Sequence, residues 1–138
     1  MIVHHTNPAM PHSDLPFSPA VQVGNLLFVS GQASVDHEGR IVVDDFEGQM
    51  RRAVANMKAI LEHCGSGMDR IVKTHNFLGD IAYRPTFNEL YAELFQRPFP
   101  ARTTIVKGFA GTLKFEIDCI AVVGDSATPD DDTKGGTT

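Results

Sequence analysis

The chain has 138 residues, of which 42% are apolar and 21% charged. That is one domain's length with an ordinary globular composition, and it excludes wholesale disorder, collagen-like repeats and long coiled coils. The balance of 12 Lys and Arg against 17 Asp and Glu, a net charge of -5, argues against nucleic acid, whose binding rests on phosphate neutralisation.

No apolar run approaches the roughly 20 residues that a membrane helix needs. The N-terminus carries no basic stretch followed by an apolar core, so no signal peptide and no membrane partner are expected, and a cytoplasmic location is. Cys64 and Cys119 are too few for a disulfide framework and lack CxxC spacing. They read as reduced, partly buried thiols, with a single Cys64–Cys119 bridge left open. Residues 125–138 hold Asp125, Asp130, Asp131 and Asp132 against Lys134, with Ala127 the one apolar side chain. They read as a flexible, acidic, solvated terminus. Residues 1–124 then form one domain with 11 basic and 13 acidic residues.

In chain order, no internal repeat is found. Residues 2–6 suit a short strand. Residues 7–19 contain four prolines and read as an irregular, extended loop. VQVGNLLFVSGQ, residues 21–32, is β-rich, and Gly24-Asn25 marks a turn between two strands. Residues 36–39 (DHEG) form a second turn signal. Residues 45–64 predict a helix. Phe46, Met50, Ala53, Val54, Met57, Ile60, Leu61 and Cys64 fall at helical spacing. Asp44 is placed to cap that helix, with Glu47 three residues on, and Gly65 to stop it. IVKTHNFLG, residues 71–79, is a strand. Pro85 opens a second helix whose apolar face is Phe87, Leu90, Tyr91, Leu94 and Phe95, and Pro98 and Pro100 end it. Residues 101–109 and 114–124 are strands joined by a short glycine-containing link. The order ββ-β-α-β-α-ββ implies an α+β domain with two helices on one face of a mixed sheet.

Charged residues inside strands are the informative ones. Arg102 follows Phe99-Pro100-Ala101, and its guanidinium can grip a carboxylate through two parallel hydrogen bonds. By strand alternation Arg102, Thr104 and Val106 share one face, and Glu116 and Asp118 share a face of the following strand. Arg and Glu from neighbouring strands would then face one cleft, as a carboxylate clamp beside a general acid–base. On spacing alone, an ion pair at a sheet edge is the simpler account. Ser30 and the Gly31 N–H end a strand where they can donate to a carbonyl or an anion, and a turn or bulge explains them equally well. The six histidines form no metal-spaced set, and there is no HExxH, paired CxxC, Walker loop, GxGxxG or GxSxG. No metal is expected.

VQVGNLLFVSGQ, IVKTHNFLGD, TFNELYAELF and above all FPART with the downstream FEIDCIAV resemble the RidA/YjgF family, over roughly residues 15–123. The resemblance implies a chorismate-mutase-like α+β fold, a mixed sheet backed by two helices. It also implies homotrimers whose sheets form a barrel with sites between subunits. It implies hydrolytic deamination of reactive 2-enamino or 2-imino acids, such as 2-aminoacrylate, to 2-keto acids and ammonia. Arg102 then binds the substrate carboxylate and Glu116 activates water. Ser30, Gly31, Asn88, Thr104 and Phe17 belong to the substrate neighbourhood, and no cofactor is needed. Two departures stand out. Phe17 follows Pro16 where the family pattern places a hydroxylated aromatic, so that hydrogen bond is lost. The link Gly108–Leu113 is short and lacks Leu-Pro. Alternatives are a deaminase of a larger, aminomuconate-type enamine, a non-catalytic protein that binds small carboxylates, and, least of all, a ribonuclease.

Overall fold

A computed structural model describes residues 1–6 and 13–124. Six strands form one sheet: β1 (Ile2–His5), β2 (Ala20–Val23), β3 (Leu26–Gln32), β4 (Ile71–Leu78), β5 (Ala101–Val106) and β6 (Phe115–Val122). Two helices, α1 (Phe46–His63) and α2 (Arg84–Leu94), complete the α+β domain. The N-terminal strand, both predicted helices and the turn at Gly24 (φ 58°) are present. The acidic stretch 125–138 lies outside the described residues.

The spatial order is β1-β2-β3-β6-β4-β5, antiparallel except for the β4–β5 pair. That parallel pair follows from α2, which carries the chain back to its starting end before β5 begins. The expected neighbourhood of β5 and β6 is therefore corrected. β6 returns antiparallel to β4, so β4 separates the two strands and β5 becomes an edge.

The helices cover one face of the sheet. The helix stripe read from the sequence is the core stripe: Met50, Ala53, Met57 and Leu61 have no exposure. They meet Leu27, Phe115, Ile117 and Ala121, which alternate with exposed residues along β3 and half-buried ones along β6. Each large apolar side chain buried this way contributes about 1.5–3 kcal/mol. The helix cap is Asp45, whose carboxylate accepts from the Gly48 N–H at 2.8 Å. Asp44, the expected cap, stands one residue too early; its carbonyl instead accepts from Lys114 Nζ at 2.7 Å. Gly65 takes φ 83° at the other end, a conformation that side chains with a Cβ resist.

Gln49 is a polar member of the buried helix face. Its Oε1 accepts from the Lys114 N–H at 2.9 Å and its Nε2 donates to the Thr112 carbonyl at 2.8 Å. The short link before β6 is thereby pinned to α1. The opposite face of the sheet bears no helix. Val21, Phe28, Phe77, Ile105 and Ile120 line it by register, with Phe28 42% and Ile105 44% exposed.

Candidate functional site

Arg102 stands on the edge strand β5 and points to the helix-covered face, opposite Thr74 of β4. Its Nη2 donates to Asn88 Oδ1 of α2 at 2.7 Å. Its guanidinium carbon lies 4.8 Å from the Phe87 ring centre and 4.9 Å from that of Tyr91. Such aromatic platforms hold a guanidinium in place while leaving its edge donors free. Among the described residues Arg102 has no carboxylate partner. A cavity of about 340 Å³ opens beside it, lined by Asn88, Tyr91, Ala92, Phe99, Pro100 and Arg102. One end of the cavity is cationic and the rest is apolar. Thr104 lies on the same face of β5, with a buried hydroxyl that has no partner.

Glu116 is on β6 and points to the other face. Its register partner is Phe77, whereas the buried Phe115 and Ile117 flank it on the helix side. Burial pushes its carboxyl above the ordinary value, the charge of Asp118 pushes in the same direction, and Lys107 opposes them. Asp118 is already engaged, with His75 Nδ1 at 2.7 Å. Glu116 has no hydrogen-bond partner among the described residues, so it is the carboxylate with free capacity. Gly31 lies against it: a methyl on Gly31 would come 3.1 Å from the Glu116 Cδ. Gly31 and Phe17 also line a second cavity of about 200 Å³ with Leu15, Pro19 and Val35.

Ser30 has a local task. Its N–H donates to the Pro19 carbonyl at 2.9 Å and its hydroxyl to the Ser18 carbonyl. Both donors hold the loop that presents Phe17, and only the hydroxyl oxygen is left to accept.

The candidate residues therefore form two groups. Arg102 and Asn88 lie on one side of the sheet, with Thr104 beneath them. Glu116 lies on the other side, with Gly31, Ser30 and Phe17 nearby. Within one chain the sheet stands between the guanidinium and the free carboxylate. The aromatic platform was read from the sequence only as the core face of a helix. Phe87 and Tyr91 do both jobs, and spacing cannot reveal the second. Asn76, a fully buried amide on β4, was also missed. Its signal was present, since Thr74, Asn76 and Leu78 share a strand face and the middle one is polar.

This is a two-helix mixed-sheet domain presenting an unpaired guanidinium and an unpaired, desolvated carboxylate. The family model described as Endoribonuclease L-PSP matches residues 8–123. The chain is 34% identical over 120 residues to the 2-iminobutanoate/2-iminopropanoate deaminase of Dermatophagoides farinae, covering 86% of this chain and 94% of that one. It is 38% identical over 110 residues to the chloroplastic Reactive Intermediate Deaminase A of Arabidopsis thaliana, covering 78% and 59%. The crystal structure of the Rid-family protein YyfA from Yersinia pestis superposes with a TM-score of 0.82 at 32% identity, covering 89% and 100%. The chain belongs to the Endoribonuclease L-PSP family, the RidA/YjgF family that its motifs resemble. No helix among the described residues is long and apolar enough to cross a membrane.

Proposed function

We propose that this protein hydrolyses reactive 2-imino and 2-enamino acids to 2-keto acids and ammonia, at sites assembled between copies in a homotrimer. The observation that carries the reading is a pair of open groups among the described residues: a guanidinium on an aromatic platform with no carboxylate partner, and a half-buried carboxylate with no hydrogen-bond partner. Two relatives carry deaminase names, which supports the reaction class.

The substrate carboxylate lies on Arg102, held by parallel hydrogen bonds. Protonation of the enamine carbon, or of an imine at nitrogen, gives the iminium, whose C=N carbon is electrophilic. Glu116 takes a proton from water as the water oxygen bonds to that carbon, giving a carbinolamine. The proton passes to the nitrogen, Glu116 takes the hydroxyl proton as C=O forms, the C–N bond breaks, and ammonia leaves with a 2-keto acid. A carboxylate whose pKa is raised suits both directions of transfer, and such a group typically supplies about 10²–10⁴-fold.

Because the sheet separates Arg102 from Glu116, the site takes one group from each of two neighbouring copies. The apolar face bearing Phe28 and Ile105 supplies surface for such an assembly. A second reading, a deaminase of larger enamines, is favoured by Phe17, which lines the cavity beside Gly31 with an apolar ring that has no hydroxyl to donate. The charge of -5 weighs against ribonuclease action. A cytoplasmic home rests on the two free thiols, although relatives are also named for mitochondrion and chloroplast.

The test uses freshly generated 2-aminoacrylate and measures keto acid and ammonia release above the buffer rate. Arg102→Ala and Glu116→Gln should each be inactive and folded. Subunits of the two variants, unfolded and refolded together in equal amounts, should recover about a quarter of wild-type activity, the share of sites with both groups intact in a random cyclic assembly. Wild-type activity in Arg102→Ala would sink the clamp. A mixture no better than its components would sink the shared site.

A further inference from the structure

Asn76 is fully buried in the middle of β4 and makes bonds in two directions. Its Nδ2 donates to Thr74 Oγ1 at 3.0 Å and to the Thr103 carbonyl at 3.2 Å. Thr74 Oγ1 in turn bonds the Tyr91 hydroxyl at 2.8 Å. Thr103 is the residue after Arg102, and the Tyr91 ring lies under the Arg102 guanidinium at 4.9 Å. One amide thus ties the backbone that carries Arg102 to the ring that Arg102 rests on.

The other end of the amide is unsatisfied. Among the described residues Asn76 Oδ1 has no partner, and neither does the hydroxyl of Thr104, its register partner on β5. A buried polar group left half-bonded is worse for stability than an apolar side chain of the same shape.

We propose that Asn76 is a positioning residue for the carboxylate clamp, setting Arg102 through Thr74, Tyr91 and the Thr103 carbonyl. This rests on the reading of Arg102 as the clamp. β5 is an edge strand joined to the sheet through β4 alone, so nothing on its outer side in the chain restrains it. The Asn76 amide adds a side-chain tie to that single ladder. Loss of the tie shifts the guanidinium relative to Asn88 and weakens carboxylate binding while the reacting end of the site keeps its parts.

The experiment compares Asn76→Val, Tyr91→Phe and Ser66→Ala in the full chain. It reads Tm, KM and kcat on an imino acid generated in situ, and the Kd of 2-oxobutanoate by calorimetry. Asn76→Val should raise KM and Kd about tenfold, the scale of one lost hydrogen bond, with kcat within about threefold and Tm unchanged or higher. Tyr91→Phe keeps the ring and loses the hydroxyl, so it should shift KM in the same direction. Ser66→Ala, which removes a hydrogen bond to the Val122 carbonyl away from the clamp, should leave KM and Kd where they were. A rise in KM together with a rise in Tm is an outcome that a merely structural residue does not give. Unchanged KM and Kd in Asn76→Val, or activity falling only in step with Tm, overturns the proposal. Arg102→Ala in the same assay separates the two levels. If it abolishes 2-oxobutanoate binding while Asn76→Val does not weaken it, the positioning role fails and the clamp stands. If it leaves binding intact, the clamp itself fails.

Discussion

Gly31→Ala separates the chemistry of Glu116 from the stability of the fold. Gly31 does not have a positive φ, so alanine adopts its backbone without strain. By restricting the unfolded chain the change stabilises by about 0.4–1 kcal/mol. Against this, the new methyl would come 3.1 Å from Glu116 Cδ and 3.5 Å from its Cγ. The carboxylate has to swing away. It is the far end of a flexible side chain without hydrogen-bond partners, so a rotamer adjustment costs about 0.5–1.5 kcal/mol. The two effects nearly cancel, and stability should move by less than about 1 kcal/mol. Catalysis should not escape. An acid–base group displaced by about 1 Å loses on the order of 10²-fold in rate. The assay is kcat for imine hydrolysis beside the denaturant midpoint of the same preparation. A folded Gly31→Ala protein with kcat within twofold of wild type would refute the placement of the working carboxylate against Gly31.

The pH behaviour of Glu116 gives a second prediction. Its pKa is raised in the folded state, so the stability it contributes is full below the unfolded carboxylate value and is lost as pH rises through the folded one. Glu116→Gln should therefore gain Tm relative to wild type as pH rises through that window, and, because Glu116 acts as the base, wild-type kcat should rise with pH on an acidic limb placed above the ordinary carboxylate value. At α1, Asp45→Ala should cost about 1 kcal/mol and lower Tm by about 3–5 °C. Asp44→Ala should cost less, because the Asp44 carbonyl that holds Lys114 survives the change; the reverse ranking by thermal melts would contradict the cap assignment.

Elements with a strong period were legible in the sequence. The Phe46–Cys64 stripe, the strand alternation of β6 and the turn at Gly24 each follow from local chemistry that neighbours do not overrule. The pairing of β5 was not legible. Two strands joined by a short link suggest a hairpin, yet the ladder of β4 pairs with both, and only the whole sheet settles which partner wins. The cap moved by one residue because Asp44 and Asp45 are adjacent acids of equal capping propensity, and the geometry of the Lys114 contact decides between them. Arg102 and Glu116 were legible as candidates, but the expectation that they face one cleft is corrected within the chain: Arg102 stands opposite Thr74 on the helix side and Glu116 opposite Phe77 on the other, and alternation groups residues along one strand without fixing which face of a neighbouring strand they share. Ser30 looked like a ligand donor because sequence shows which groups can donate but not that Ser18 and Pro19 already take both protons.

The two carboxylates of β6 explain why the chemistry falls to one of them. Asp118 and Glu116 share a face, a strand and a burden of desolvation. His75 reaches Asp118 at 2.7 Å and satisfies it. Glu116 receives no such partner, and the charge of Asp118 raises its pKa further. Asp118 is thereby engaged by its neighbour and Glu116 is left open, which on the proposed mechanism makes Glu116 the group that exchanges protons. Arg102 shows the same economy on the opposite face: Asn88 and two rings hold it without neutralising it, so its charge is left for a ligand. Each half holds its reactive group open, and neither half faces the other within the chain. On the proposed shared site, a chain that folds alone binds a carboxylate without hydrolysing an imine, and assembly rather than folding creates the activity.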